Sequence, residues 1–138
     1  MRSSDQAGPF IYDGTTIVPV TPPSNTLNSA SGNVANANAA ATLAAAAGKT
    51  TFISGFELTA TGATVGLPVT ATVTGILGGT LSYTFAAPAG ALLIATPLIV
   101  LFNPPLSASA VNTAIVVTLP ALGGGNTNAS ANAHGYQV

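Results

Sequence analysis

From Gly14 to Val138 the chain carries one lysine, Lys49, and one glutamate, Glu57, in 125 residues. Arg2, Asp5 and Asp13 are the only other fully charged side chains, and the formal net charge is -1. An ordinary soluble domain has about a quarter of its residues charged, and interspersed charge keeps such domains dissolved and apart. A chain without it must build its surface from Thr, Ser, Asn and Ala. It reads as a protein made to be packed against other subunits. Two basic residues also exclude the clustered Lys and Arg of a nucleic-acid footprint and a polybasic membrane patch. The chain contains no cysteine, so a disulfide framework and a Cys-based metal site are excluded as well.

Met1 to Gln6 is polar and no apolar stretch of leader type follows it, so no secretory leader is expected. The most apolar run, 85–102, approaches the length of a membrane helix. Pro88, Gly90, Thr96 and Pro97 interrupt it and Asn103-Pro104-Pro105 ends it. Prolines at this density break a helix, so the run reads as a pair of buried strands and no membrane span is expected.

Residues 1–38 differ from the rest. Pro9, Pro19, Pro22 and Pro23 favour extended backbone, and two apolar clusters lie among them, Phe10-Ile11-Tyr12 and Ile17-Val18. An Asn/Ser/Ala tract without a sustained period runs from Ser24 to Asn38. This segment is expected to be an extended N-terminal arm. A solvated disordered tail seldom carries two hydrophobic clusters. Phe10, Ile11, Tyr12, Ile17 and Val18 are therefore the candidate partner-binding residues.

Residues 39–138 carry the signals of an all-β domain. Leu81, Tyr83 and Phe85 alternate with Ser82 and Thr84, and Val69, Ala71 and Val73 alternate with Thr70, Thr72 and Thr74. In the stretch 51–60, Phe52, Ser54, Phe56 and Leu58 fall on one face. A period of two marks a strand. Gly and Pro clusters recur about every ten residues, the spacing of a sandwich or barrel. Eight strands are expected, at 39–46, 50–60, 67–76, 80–86, 91–101, 106–110, 113–119 and 129–137. That number suits an antiparallel β-sandwich of the jelly-roll or Greek-key kind. Ala39–Ala47 is rich in the best helix former, but Thr42, Leu43 and the Gly48-Lys49-Thr50 turn favour a strand that forms a hairpin with the next. The expected core is Phe52, Phe56, Leu58, Val69, Val73, Leu81, Tyr83, Phe85, Leu98 and Val116. The threonines of 70–74 and 80–84 are expected to face outward.

No catalytic, cofactor-binding or metal-ligating set is found. Gly48-Lys49-Thr50 lacks the glycine of a phosphate loop, since Leu43 stands in its place, and a strand rather than a helix follows. His134 is the only histidine and Glu57 the only carboxylate of residues 39–138. A triad or a two-carboxylate hydrolase needs more. The reading is not an enzyme, with no cofactor and no nucleic-acid or membrane partner.

The stretches Gly48-Lys49-Thr50-Thr51-Phe52-Ile53, Gly55-Phe56-Glu57-Leu58 and Ala114-Ile115-Val116-Val117-Thr118-Leu119-Pro120 resemble small β-sandwich structural proteins of tailed bacteriophages. The ending Gly124-Gly125-Asn126-Thr127-Asn128-Ala129, followed by Ala133-His134-Gly135-Tyr136, adds to the likeness, which covers about 39–138. The resemblance is to head decoration, or cement, proteins. It implies a homotrimer of jelly rolls on the capsid exterior that bridges adjacent major capsid subunits. The alternative is a receptor- or carbohydrate-binding module of a tail fibre or spike.

Overall fold

A computed structural model describes residues 10–12, 17–19, 25–90, 96–122 and 128–138. These residues are all-β and contain no helix. Two short strands, β1 (Phe10–Tyr12) and β2 (Ile17–Pro19), pair as an antiparallel hairpin. Eight further strands form two four-stranded antiparallel sheets. They are β3 (Asn25–Ala30), β4 (Ala39–Leu43), β5 (Thr51–Thr61), β6 (Leu67–Thr74), β7 (Leu81–Ala87), β8 (Leu98–Ser107), β9 (Ile115–Leu119) and β10 (Asn128–Gln137). One sheet has the order β3-β10-β5-β8 and the other β4-β9-β6-β7. The pairs β6 with β7, β5 with β8, β4 with β9 and β3 with β10 are nested about the turn between β6 and β7. The expected β-sandwich is therefore present.

The inner faces explain its shape. β10 contributes Ala129, Ala131 and Ala133, and β4 contributes Ala39, Ala41 and Leu43. Small side chains let the sheets come close on this side, and β3, β10 and β4 lie near one another. The Thr42 N–H donates to Ser29 Oγ across the gap (2.9 Å). Gln137 Nε2 donates to the Ala44 carbonyl (2.7 Å) and to Thr51 Oγ1 (3.2 Å), so both buried polar side chains are satisfied. On the other side aromatic rings hold the sheets apart. Phe56 meets Tyr83 edge-on with centroids 5.3 Å apart and Phe102 at 6.1 Å.

Several expectations need correction. The chain enters the sandwich at Asn25, inside the segment assigned to the arm. β3 has one large apolar residue, Leu27, and is held by backbone pairing to β10, so no hydrophobic period marks it. β4 is a strand, but it pairs with β9 and not with β5. Both strands must bury an inner face, and residues 44–50 carry the chain from one sheet to the other. Asn103-Pro104-Pro105 does not separate two strands. It bulges out of edge strand β8, where Leu101 pairs with Gly55 and Leu106 with Ile53. Proline is tolerated at such a place because no ladder donor is needed. Part of the strand expected at 91–101 lies outside the described residues.

The inner face of β5 also changes phase. Thr51 and Ile53 point inward, then Phe56, Leu58 and Ala60. The register shifts around Ser54 against both neighbours, and an extra residue flips every side chain beyond it. Phe52 consequently leaves the expected core and stacks on Tyr136 outside the sandwich (5.0 Å, 7° between planes). Val116 likewise faces outward, between buried Ile115 and Val117. Phe56, Leu58, Val69 and Val73 are buried as expected. Leu81, Tyr83, Phe85 and Leu98 point inward but are only half-buried.

Candidate interaction surface

The outer face of β3-β10-β5-β8 brings together polar groups far apart in sequence. Register places Asn28 beside His134, and Asn132 beside Glu57. His134 Nδ1 lies 3.1 Å from Asn28 Oδ1, and Nε2 lies 3.0 Å from Glu57 Oε1. The His134 and Glu57 side chains are 41% and 37% exposed, so the pair is a weak contributor to stability. A triad would place a hydroxyl on the second ring nitrogen; Asn28 stands there instead. Ser54 Oγ donates to the His134 carbonyl (3.1 Å), away from the ring. Thr59 and Ser130 hydroxyls pair at 2.6 Å further along the same face. Among the described residues no group of three or more His, Cys, Asp or Glu side chains could hold a metal ion. A cleft of about 100 Å³ beside Thr59, Pro97, Asn128 and Ser130 is small against the several hundred Å³ of an ordinary ligand pocket.

The outer face of β4-β9-β6-β7 bears no charge. Thr70, Thr72 and Thr74 of β6 project there beside Ser82 and Thr84 of β7 and Thr118 of β9. Thr70 and Thr84 hydroxyls pair across strands at 2.8 Å. These threonines face outward as expected, and each can bond a neighbour or water without ionic charge.

The edge at β8 is different. Four strands are outermost in their sheets: β3, β8, β4 and β7. The outward side chains of β3, β4 and β7 are Thr, Asn, Ser and Ala. Those of β8 between Leu98 and Phe102 are Ile99, 63% exposed, and Leu101, 77% exposed. Its inward side chains, Leu98, Val100 and Phe102, are half-buried and face Leu81, Tyr83 and Phe85 of β7 across the wide side of the wedge. Desolvation there raises the Tyr83 phenol above its usual value. Glu57 pairs with Ile99 in register, yet its carboxylate bonds His134 on the opposite side. Large apolar side chains thus line both faces of an edge that is unpaired among the described residues, and edges of this kind pair readily with another chain.

Sequence reading missed this edge because 85–102 reads as uniformly buried. Of the candidate partner-binding residues, the structure brings all five into one hairpin, with Ile11 opposite Val18 and Tyr12 opposite Ile17. Among the described residues no helix is long and apolar enough to cross a membrane. Comparison with protein-family models, curated proteins and solved structures finds no match.

Proposed function

We propose that this chain is a virion structural protein, a decoration protein of a tailed-phage capsid that bridges adjacent major capsid subunits as a homotrimer. The observation that carries the reading is the surface. Two outer sheet faces expose one carboxylate between them, and that carboxylate is paired with a histidine. Such faces pack against other subunits without the cost of burying unpaired charge. The reading includes a jelly-roll fold. The orders β3-β10-β5-β8 and β4-β9-β6-β7, nested about one turn, support it. Many weak contacts on a repeating shell add up to firm attachment when several subunits bind together.

Purified particles of a virus encoding the chain supply the test. The chain is expected in them at a fixed ratio to the major capsid protein, with antibodies to it labelling heads. Its absence from particles, or labelling confined to tails, overturns the reading.

A further inference from the structure

We propose that the β8 edge of one copy receives the Phe10–Tyr12 and Ile17–Pro19 hairpin of a second copy, which extends the sheet to β3-β10-β5-β8 plus the hairpin. The inference rests on the homo-oligomer of the preceding reading and specifies its contact.

Four observations lead to it. The first is pattern. Leu98-Ile99-Val100-Leu101-Phe102 has no polar alternation, and neither do Phe10-Ile11-Tyr12 and Ile17-Val18. A strand apolar on both sides belongs where both sides are covered. β8 sits at an edge with one side open, and the hairpin strands need the same kind of cover. The second is backbone. Among the described strands β8 pairs with β5 alone and the hairpin strands pair only with each other, so each has an outer edge open to a further strand. Joining them is strand addition, with side-chain pockets setting specificity.

The third is reach. Pro19 and Asn25 are six residues apart, a span of about 20 Å when extended. Asn25 begins β3, at the far side of the sheet from β8. Ile99 aligns with Ala30 through Glu57 and Asn132. A strand added outside β8 beside Ile99 would then stand about 19 Å across the sheet and about 17 Å along it from Asn25. The diagonal exceeds the link, so a chain cannot bring its own Pro19 beside Ile99, whereas a neighbour's hairpin has no such limit. The fourth is charge. The Glu57 carboxylate is drawn to His134 and leaves the acceptor edge uncharged, so an apolar hairpin meets no unpaired ion. A contact between two different patches propagates head to tail, and it forms a ring when the rotation between copies closes. Such a ring of three gives the homotrimer.

Two full-length variants test the contact. Leu101→Lys disables the acceptor at a side chain that is 77% exposed, so the sandwich is left intact. Ile11→Asp with Val18→Asp disables the donor. Circular dichroism establishes that both remain folded, and Ile99→Lys replaces Leu101→Lys if it does not. Native mass spectrometry at micromolar concentration should show each variant alone as monomer and their mixture as a one-to-one dimer, through the single surviving donor and acceptor. A mixture that stays monomeric, or a donor-disabled variant that still self-associates, overturns the proposal. A two-fold β8-to-β8 contact gives the second of these outcomes. Neither result depends on whether particles carry the chain, so this inference and the capsid reading fail separately.

Discussion

Gly135→Ala is expected to destabilise the sandwich by about 3 kcal/mol or more, the upper range for forcing atoms into a filled interior. Gly135 lies in β10, between β3 and β5, where the register against β5 shifts. A Cβ added there would collide with the Phe52 carbonyl oxygen and press on Leu43 Cδ1. The carbonyl belongs to the backbone of a central strand and cannot swing aside as a side chain would. The strand would have to separate from its neighbour at the bulge that turns Phe56, Leu58 and Ala60 inward. Urea unfolding of the variant against the parent chain measures the loss. A midpoint within error of the parent would mean that β10 and β5 are not packed this closely.

Phe56→Ala is expected to cost about 3–5 kcal/mol, the range for truncating a buried phenylalanine. Phe56 is 1% exposed and touches the rings of Tyr83 and Phe102. It holds the wide side of the wedge open, so its removal leaves a cavity that the β4-side alanines cannot fill. Phe85→Ala is the control. It points toward the same interior but is half-buried, and it should cost clearly less in the same titration. Equal losses at both positions would show that the wide side is closed and not open.

These expectations also mark what the sequence makes legible. The alternation in β6 and β7 places Val69, Val73, Thr70 and Thr84 on their observed faces, because both strands are regular and pair without a shift. The phase of β5 is not legible. Thr51 to Ala60 alternates well enough to extrapolate, but the extra residue at Ser54 is a property of pairing with β10 and β8. β9 fails for another reason. Ile115-Val116-Val117 is apolar throughout, so either phase satisfies the composition, and packing against β4 and β6 decides. β3 is hidden because Asn25-Thr26-Leu27-Asn28-Ser29-Ala30 holds its place by backbone bonds and one leucine. The Asn28, His134 and Glu57 row is hidden in turn, since it depends on the register of β10 against β3 and β5. What composition did reveal is the scarcity of charge, and the faces built from Thr, Ser and Asn follow from it.

The proposed assembly requires that other copies complete the surface of this chain. Multi-angle light scattering of the purified full-length protein at micromolar concentration tests it most directly. A discrete oligomer of three copies is the predicted result. A stable monomer that persists as the concentration is raised would contradict the account at its centre.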